Sequence, residues 1–395
     1  MSDRQELPRQ VKLFGAVSLL NDFASEMVYP LLPAFVTGVL GGGALALGAL
    51  DGAADAAAAF VKLVAGRMAD RRDRRGPLII GGYLLAVVIR PIIAVTSAAW
   101  QVIGLRVVDR LGKGMRSPPR DAFIADVTPP AIVGRAFGLQ RGMDHVGAVI
   151  GPLIAWVVLT RGADIRTVIL ASIVPGVLVV VLAMWAVKDG RGGSRAVEAG
   201  TVGGPSSTAF DRPRPPFALI AIALFYLIRM PETLIILRAQ KLGVAVALVP
   251  LLWAGVHVVK SSTSFLGGGL ADRVGASRTM WLGWVAYVFL AAGMWRANTK
   301  LSAWILFLAL GVVAGLTESP ERKLVAAVTG AAKRGSGFGV YYALTGGAAL
   351  VGGIALGVIF QWSSGAMAFL VSAAGALGLV ILWPFWSRAH KVPPQ

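Results

Sequence analysis

Acidic and basic side chains recur three and four residues apart inside stretches that are otherwise apolar. Asp22 and Glu26 stand four apart, Asp51, Asp55 and Lys62 fall on one helical stripe, and Arg106, Asp109, Arg110 and Lys113 repeat at three and four. The same spacing joins Arg141, Asp144 and His145, Arg229 and Glu232, His257 and Lys260, and Glu318, Glu321 and Arg322. A charge at the centre of a membrane-spanning helix costs roughly 2.5–3.5 kcal/mol on insertion scales, so such stripes turn away from lipid and pair inside the protein. A carboxylate caught between desolvation, which favours its neutral form, and a guanidinium, which favours its charge, can take up and release a proton as its surroundings change. The candidates for proton coupling on this reasoning are Asp22, Glu26, Asp55, Asp144 and Glu232, with Arg106 as the modulating base. Permanent pairing as packing elements is the alternative reading of each.

Binding chemistry has its own candidates. Arg110, Arg141, Arg229 and Lys260 supply cationic groups, and His257 lies one turn from Lys260, where the two can hold an anion. Tyr226, Trp253 and Tyr341 supply aromatic faces near midspan or beside a repeated motif, with interface anchoring or packing as the alternative.

These side chains need a frame, and composition says which kind. Of 395 residues 56% are hydrophobic and 15% charged, with a mean hydropathy of +0.71. A soluble core cannot absorb that share of apolar surface, whereas twelve spans of ~20 residues fill roughly 240 positions and leave short loops. Apolar runs fall at about 11–38, 44–66, 77–97, 100–125, 137–160, 165–187, 216–238, 244–270, 278–296, 301–325, 337–360 and 365–387. The expected fold is therefore an all-α integral membrane protein of twelve transmembrane helices. Pro30 and Pro33, Pro91 and Pro231 predict bends in helices one, three and seven, of which those in one and seven suit gates. Small-residue pairs at Gly48 and Gly52, Gly147 and Gly151, and Gly311 and Gly315 permit close helix approach.

The net charge is +18 and the isoelectric point near 11.0. Lys and Arg gather in the even-numbered loops and the termini, which is the pattern of a multi-pass protein of the cell (inner) membrane with both termini cytoplasmic, and not that of a nucleic-acid binder. The polar N-terminal stretch runs into an apolar segment with no small-residue cleavage pattern, which reads as a retained first span. Residues 188–215 are rich in Gly, Ser, Pro and charge and read as a flexible cytoplasmic linker between six-helix bundles at 1–187 and 216–395.

An internal repeat supports two pseudo-symmetric halves. GRMADRRDRR at 66–75 answers GGLADRVGASR at 268–278, SPPR at 117–120 answers SPER at 319–322, and GRAFG at 134–138 answers GSGFG at 335–339. The offsets are 202, 202 and 201 residues. Parallel repeats of six helices place a ligand cavity between the halves near the bilayer midplane.

With these motifs the chain resembles the major facilitator superfamily over essentially its whole length. The family's loop after the second helix, Gly-x-Leu-Ala-Asp-Arg-x-Gly followed by basic residues, is matched by Gly268, Leu270, Ala271, Asp272, Arg273, Gly275 and Arg278. In the first half Gly66, Met68, Ala69, Asp70, Arg71, Arg74 and Arg75 match it, with Asp73 where the pattern has glycine. The resemblance implies that Asp70 and Asp272, with these arginines, form a latch that holds the cytoplasmic side closed, each carboxylate pairing with guanidinium groups and with the start of a neighbouring helix. Gly147, Gly151 and Pro152 resemble the family's fifth-helix antiporter motif, Arg106 partly resembles its fourth-helix arginine motif, and RLGKGMRSPPRDAFIAD is similar to a poorly characterised prokaryotic branch.

No phosphate-binding Gly-x-x-x-x-Gly-Lys-Ser/Thr loop is present, there is no cysteine, and His145, His257 and His390 sit on separate segments without a His-Glu-x-x-His pair. The expectation is a monomeric secondary transporter without enzymatic activity, cofactor or metal, working by alternating access on a small molecule with protons as the coupling ion. Proton-coupled efflux by antiport leads; symport of a small organic anion or metal chelate is the alternative, and a channel, receptor or membrane enzyme stands further off.

Overall fold

The computed structural model describes residues 6–32, 35–41, 57–198, 217–244, 248–363 and 365–389. Among them every regular element is helical. Helix α1 (Arg9–Val28) continues through a tight 3-10 turn at Tyr29–Leu31, where Pro30 removes a donor, and a single π turn at Phe35–Val39. Helix α2 is described over 57–68. Next come α3 (Arg72–Ile92), α4 (Ala99–Val127), α5 (Val133–Thr160) and α6, which runs as Ile165–Ala171 and Ile173–Glu198. The predicted linker is thus helical as far as Glu198, and 199–215 lies outside the described residues.

Helix α7 is in two pieces, Phe217–Ile228 and Glu232–Lys241, parted at Pro231, whose extended ψ of 141° cannot continue a helix. The chain then forms α8 (Val249–Val274), α9 (Ala276–Arg296), α10 (Lys300–Val328), α11 (Arg334–Trp362) and α12 (Ala366–Ala389). Only Gly275 separates α8 from α9; its φ of +95° is a conformation that side-chain-bearing residues avoid. Ahead of α6, Gly162 (φ +91°) turns the chain and Asp164 accepts the Thr167 amide proton at 2.8 Å. Hydrogen bonding to Thr167 holds that carboxyl below the usual carboxylate range.

Two compact units emerge. The first comprises 1–129, 143–206 and 330–343, the second 130–142, 207–329 and 344–395, so α5 and α11 each begin in one unit and end in the other. In the first unit Val28, Leu32, Phe35, Ile93, Val102 and Ile169 form an apolar cluster beside the turn in α1. In the second, Phe225 stacks on Trp284 (5.5 Å between ring centres) and meets Tyr287 edge-on, and Trp284 meets Trp383. Trp156, Val174, Phe289, Leu350 and Ile354 point outward, an exposure that suits lipid and not water. Stretches both long and apolar enough to cross a bilayer include Arg72–Val95, Pro130–Thr160, Ile165–Asp189, Lys300–Val328, Ala331–Phe360 and Ala366–Trp386.

Helix α5 lies against α1 because Gly147 and Gly151 lack side chains. A Cβ on Gly147 would run into the Leu19 carbonyl, and one on Gly151 would sit 2.7 Å from the Phe23 carbonyl and 3.0 Å from Glu26 Cβ. Gly151→Val should therefore cost about 1–3 kcal/mol by overpacking and lower the unfolding midpoint in detergent. Gly346→Ala, where nothing lies within 4 Å, should not lower it.

Candidate functional sites in each unit

In the first unit α1, α3 and α4 converge on Asp109, which is 1% exposed. Arg90 Nε donates to its Oδ1 at 3.0 Å, the Tyr29 hydroxyl donates to Oδ2, and an Arg106 terminal nitrogen lies 3.6 Å from Oδ2. Arg90 also reaches the Asn21 carbonyl and Asn21 Oδ1, each at 3.3 Å, and Arg116 reaches the same Oδ1 at 3.3 Å. Asn21 Nδ2 in turn donates to Asp22 at 2.9 Å. The second arm of Arg116 bonds the Gly82 carbonyl at 3.0 Å, an approach open because Gly82 has no Cβ. Arg106 lies 3.3 Å from the Tyr29 ring centre and Arg110 5.2 Å from it, so the ring carries two cations.

Asp22 and Glu26 are half-buried on α1. The charges acting on Glu26 are those of Asp22, Lys113, Arg110 and Arg106; Lys113 feels Arg110, Asp22, Lys62 and Arg116. Farther along α4, Asp121 is held by Arg120 (3.0 and 2.9 Å) and by the Tyr342 hydroxyl, with Lys62 4.9 Å from the Tyr342 ring centre. Asp144 and His145 are buried, and Asp144 acts on Arg120. Of the predicted proton-coupling set, the structure gathers Asp22, Glu26 and Arg106 in one neighbourhood and sets Asp144 beside Arg120. Asp55, with Asp51, lies outside the described residues.

The second unit has a different arrangement. Lys260 Nζ donates to Glu232 Oε1 at 2.7 Å, Arg229 stands 3.5 Å from the same oxygen, and the Arg229 guanidinium lies 5.8 Å from the Tyr226 ring centre. Trp253 packs on His257 at 5.1 Å and has Lys260 5.6 Å from its ring. Tyr226 donates to Glu321 at 3.2 Å, and Arg141 Nε to Glu318 at 2.6 Å, with Arg322 bonding the Glu318 carbonyl. Tyr226, Arg229, Trp253, His257 and Lys260 thus come together around Glu232, and Arg141 shares their unit. Arg110 and Tyr341 belong to the first unit, where Tyr341 is buried 5.0 Å from Tyr342.

Positions 202 residues on from Asn21, Arg90 and Asp109 hold Ala223, Ala292 and Gly311, so the second copy of the repeat lacks the polar layer of the first.

The repeated loop aspartates form an equivalent pair. Asp272 accepts the backbone N–H groups of Gly134 and Arg135, both at 2.7 Å, at the start of α5, and Lys323 adds a bond at 2.8 Å. Asp70 accepts the Ser336 N–H at 2.8 Å and the Ser336 hydroxyl at the start of α11. Each carboxylate satisfies amides that a helix start leaves without partners, at the positive end of the helix dipole. Close approach is permitted by Gly268 against Gly134 and Gly138, and by Gly66 against Gly335 and Gly339. Of the loop arginines, Arg75 is buried, bonds the Ala69 carbonyl at 2.7 Å and pairs with Asp126, which Arg334 also holds. Arg71, Arg74, Arg273 and Arg278 are exposed.

Spacing and charge in the sequence do not mark Asn21, Tyr29, Arg116, Asp126, Lys323 or Ser336. The signal for Ser336 was present, since GSGFG answers GRAFG. Asn21 and Tyr29 lie beside Asp22 and Pro30 on α1, but an uncharged residue in an apolar run carries no cost that marks it.

Arg90→Ala should leave Asp109 buried with a weaker set of partners and cost about 3–5 kcal/mol. Arg90→Ala with Asp109→Ala should recover part of that loss, because no uncompensated carboxylate remains; thermal unfolding of both variants checks this.

The sequence profile of the Major Facilitator Superfamily matches residues 14–255. An uncharacterised transporter of this type from Methanocaldococcus jannaschii is 25% identical over 96% of this chain and 96% of its own. Multidrug resistance protein MdtH of Photorhabdus laumondii is 32% identical over 39% of this chain and 38% of its own. The human organic anion transporter MFSD10 superposes with a TM-score of 0.72 over 95% of this chain and 100% of its own, at 14% identity. Twelve helices among the described residues, a duplicated Asp-Arg loop and a profile match across more than half the chain have one consequence: this protein belongs to the Major Facilitator Superfamily and is a multi-pass membrane transporter, not an enzyme.

Proposed function

We propose that the protein is a secondary active exporter that exchanges protons for a small molecule by alternating access. The observation that carries this reading is the pair Asp22 and Glu26 on α1, two half-buried carboxylates among Arg106, Arg110 and Lys113. A proton taken up there removes charge from a crowded ionic cluster, and its release restores the pairing, so occupancy by H⁺ and by cargo can be made mutually exclusive. Gly147 and Gly151 let α5 lie close against α1 at Leu19, Phe23 and Glu26, the stretch that carries both carboxylates. The likeness of part of the chain to MdtH, a multidrug resistance protein, favours efflux.

On this reading the halves 1–187 and 216–395 alternate access, joined by 188–215. The protein acts as a monomer in the inner membrane with both termini cytoplasmic. Tyr226, Arg229, Trp253, His257, Lys260, Arg110, Arg141 and Tyr341 supply groups for cargo. Asp70 and Asp272 are the latch: each helix start they hold is released when the cytoplasmic side opens.

Symport of an organic anion or metal chelate is a second reading. It is favoured by the cationic excess along α4, which carries Arg106, Arg110, Lys113, Arg116 and Arg120 with Asp109, Asp121 and Asp126.

In vesicles with an imposed pH gradient, cargo should move against the proton flow; movement with it establishes symport. Glu26→Gln or Asp22→Asn should abolish gradient-driven transport while leaving cargo exchange across the membrane, and unchanged gradient-driven transport in both variants refutes the assignment. Asp272→Asn should speed maleimide labelling of single cysteines placed at the cytoplasmic ends of α5 and α8 by about tenfold, the equivalent of ~1.4 kcal/mol of lost latch energy. Unchanged labelling counts against the latch.

A further inference from the structure

The break in α7 leaves polar backbone in the middle of an apolar unit. Pro231 has no N–H to give, and its extended conformation removes Ile228 and Met230 from the helical ladder. Two hydroxyls from other helices meet them. Met230 N–H donates to Tyr287 Oη on α9 at 2.7 Å, Tyr287 Oη lies 2.5 Å from Ser372 Oγ on α12, and Ser372 Oγ donates to the Ile228 carbonyl at 2.5 Å. Proton counting fixes the direction between the hydroxyls. Ser372 spends its single proton on Ile228, so Tyr287 donates to Ser372, and each hydroxyl gives once and accepts once. The result is a closed relay, Met230 to Tyr287 to Ser372 to Ile228, that bridges the unwound turn. Tyr287 and Ser372 are fully buried and Met230 is 1% exposed. Around the turn α11 and α12 come in close, Gly352 against the Leu227 backbone and Gly375 against the Ile228 side chain.

The side chains that the turn carries belong to the ligand-side cluster. Arg229 sits inside it beside Tyr226, and Glu232 begins the second piece against Lys260. We propose that Tyr287 and Ser372 are positioning residues: their relay fixes the register of residues 228–232 and thereby aims Arg229 and Glu232 at Tyr226 and Lys260. This rests on the reading of that cluster as part of the cargo-binding surface. It follows that the scaffold of α9 and α12, which contributes no charge to the cluster, sets the cluster's geometry.

Hydrogen exchange read by mass spectrometry on the purified full chain tests it. Tyr287→Phe and Ser372→Ala each interrupt the relay, and each should raise exchange in the segment 226–232 by about tenfold, while exchange in α8 stays at the parent rate. Ser372→Thr keeps the hydroxyl and should restore protection, which a packing role alone does not explain. The double variant loses both end bonds, to Met230 and to Ile228, and should exchange at least as fast as either single one. The chain has no cysteine, so Glu232→Cys can be labelled alone with a membrane-impermeant maleimide; its rate should shift in the Tyr287→Phe and Ser372→Ala backgrounds and stay at the parent value in the Ser372→Thr background. Parent-like exchange and labelling in folded Tyr287→Phe and Ser372→Ala would overturn the proposal, as would exchange that rises equally along α8. Glu232→Gln decides the reading beneath it separately: if transport is untouched there, the cluster is not the ligand side, whatever the exchange pattern shows.

Discussion

A charge carried into an apolar layer has to bring its partner with it, and the interior of this protein is arranged by that requirement. Asp109 is the clearest case. Its carboxylate is reached from α1 by a tyrosine hydroxyl, from α3 by one arginine and from its own helix by another, so three helices are registered to one another through a single anion. The same rule explains why the lipid-facing surfaces of α5, α6, α9 and α11 carry Trp, Val, Phe, Leu and Ile while their neighbours carry arginine. It also explains the backbone around Pro231, whose groups outside the helical ladder are satisfied by two fully buried hydroxyls.

Charge placement and glycine placement work as one device at the repeated loops. A carboxylate can hold the first amides of another helix only if the backbones come within hydrogen-bonding distance, and Gly66, Gly335, Gly268 and Gly134 make that approach possible. The two copies use the same geometry with different supports: Lys323 reinforces Asp272, whereas beside Asp70 the added ionic contact runs through Asp126 to Arg75 and Arg334. A motif that reads as a basic loop is, in three dimensions, mostly a pair of helix caps.

Much of this was legible before any coordinate was known. Apolar length gave the number of spans, and the 202-residue offset gave the duplication, because membrane helices leave a hydropathy signal and a repeat leaves a register signal. Three- and four-residue spacing found Asp22 with Glu26 and Arg229 with Glu232, and Pro231 found the break in α7. Partners were less legible. Of the two kinds of partner expected for Asp70 and Asp272, the helix starts hold both carboxylates, whereas Arg71, Arg74, Arg273 and Arg278 stay exposed, where a guanidinium gains little from such a pair. Asn21, Tyr29, Tyr287 and Ser372 stayed hidden because a neutral polar side chain is cheap enough in a membrane to be scattered, and only the fold shows which of them close a circuit.

The polar layer of Asn21, Arg90 and Asp109 has no counterpart at Ala223, Ala292 and Gly311. Corresponding positions of the two halves thus carry different chemistry. The first unit ties its helices together through a buried carboxylate, and the second through stacked rings beside the ion cluster at Glu232, so a segment moved between the halves at equal register would strip Arg90 of Asp109.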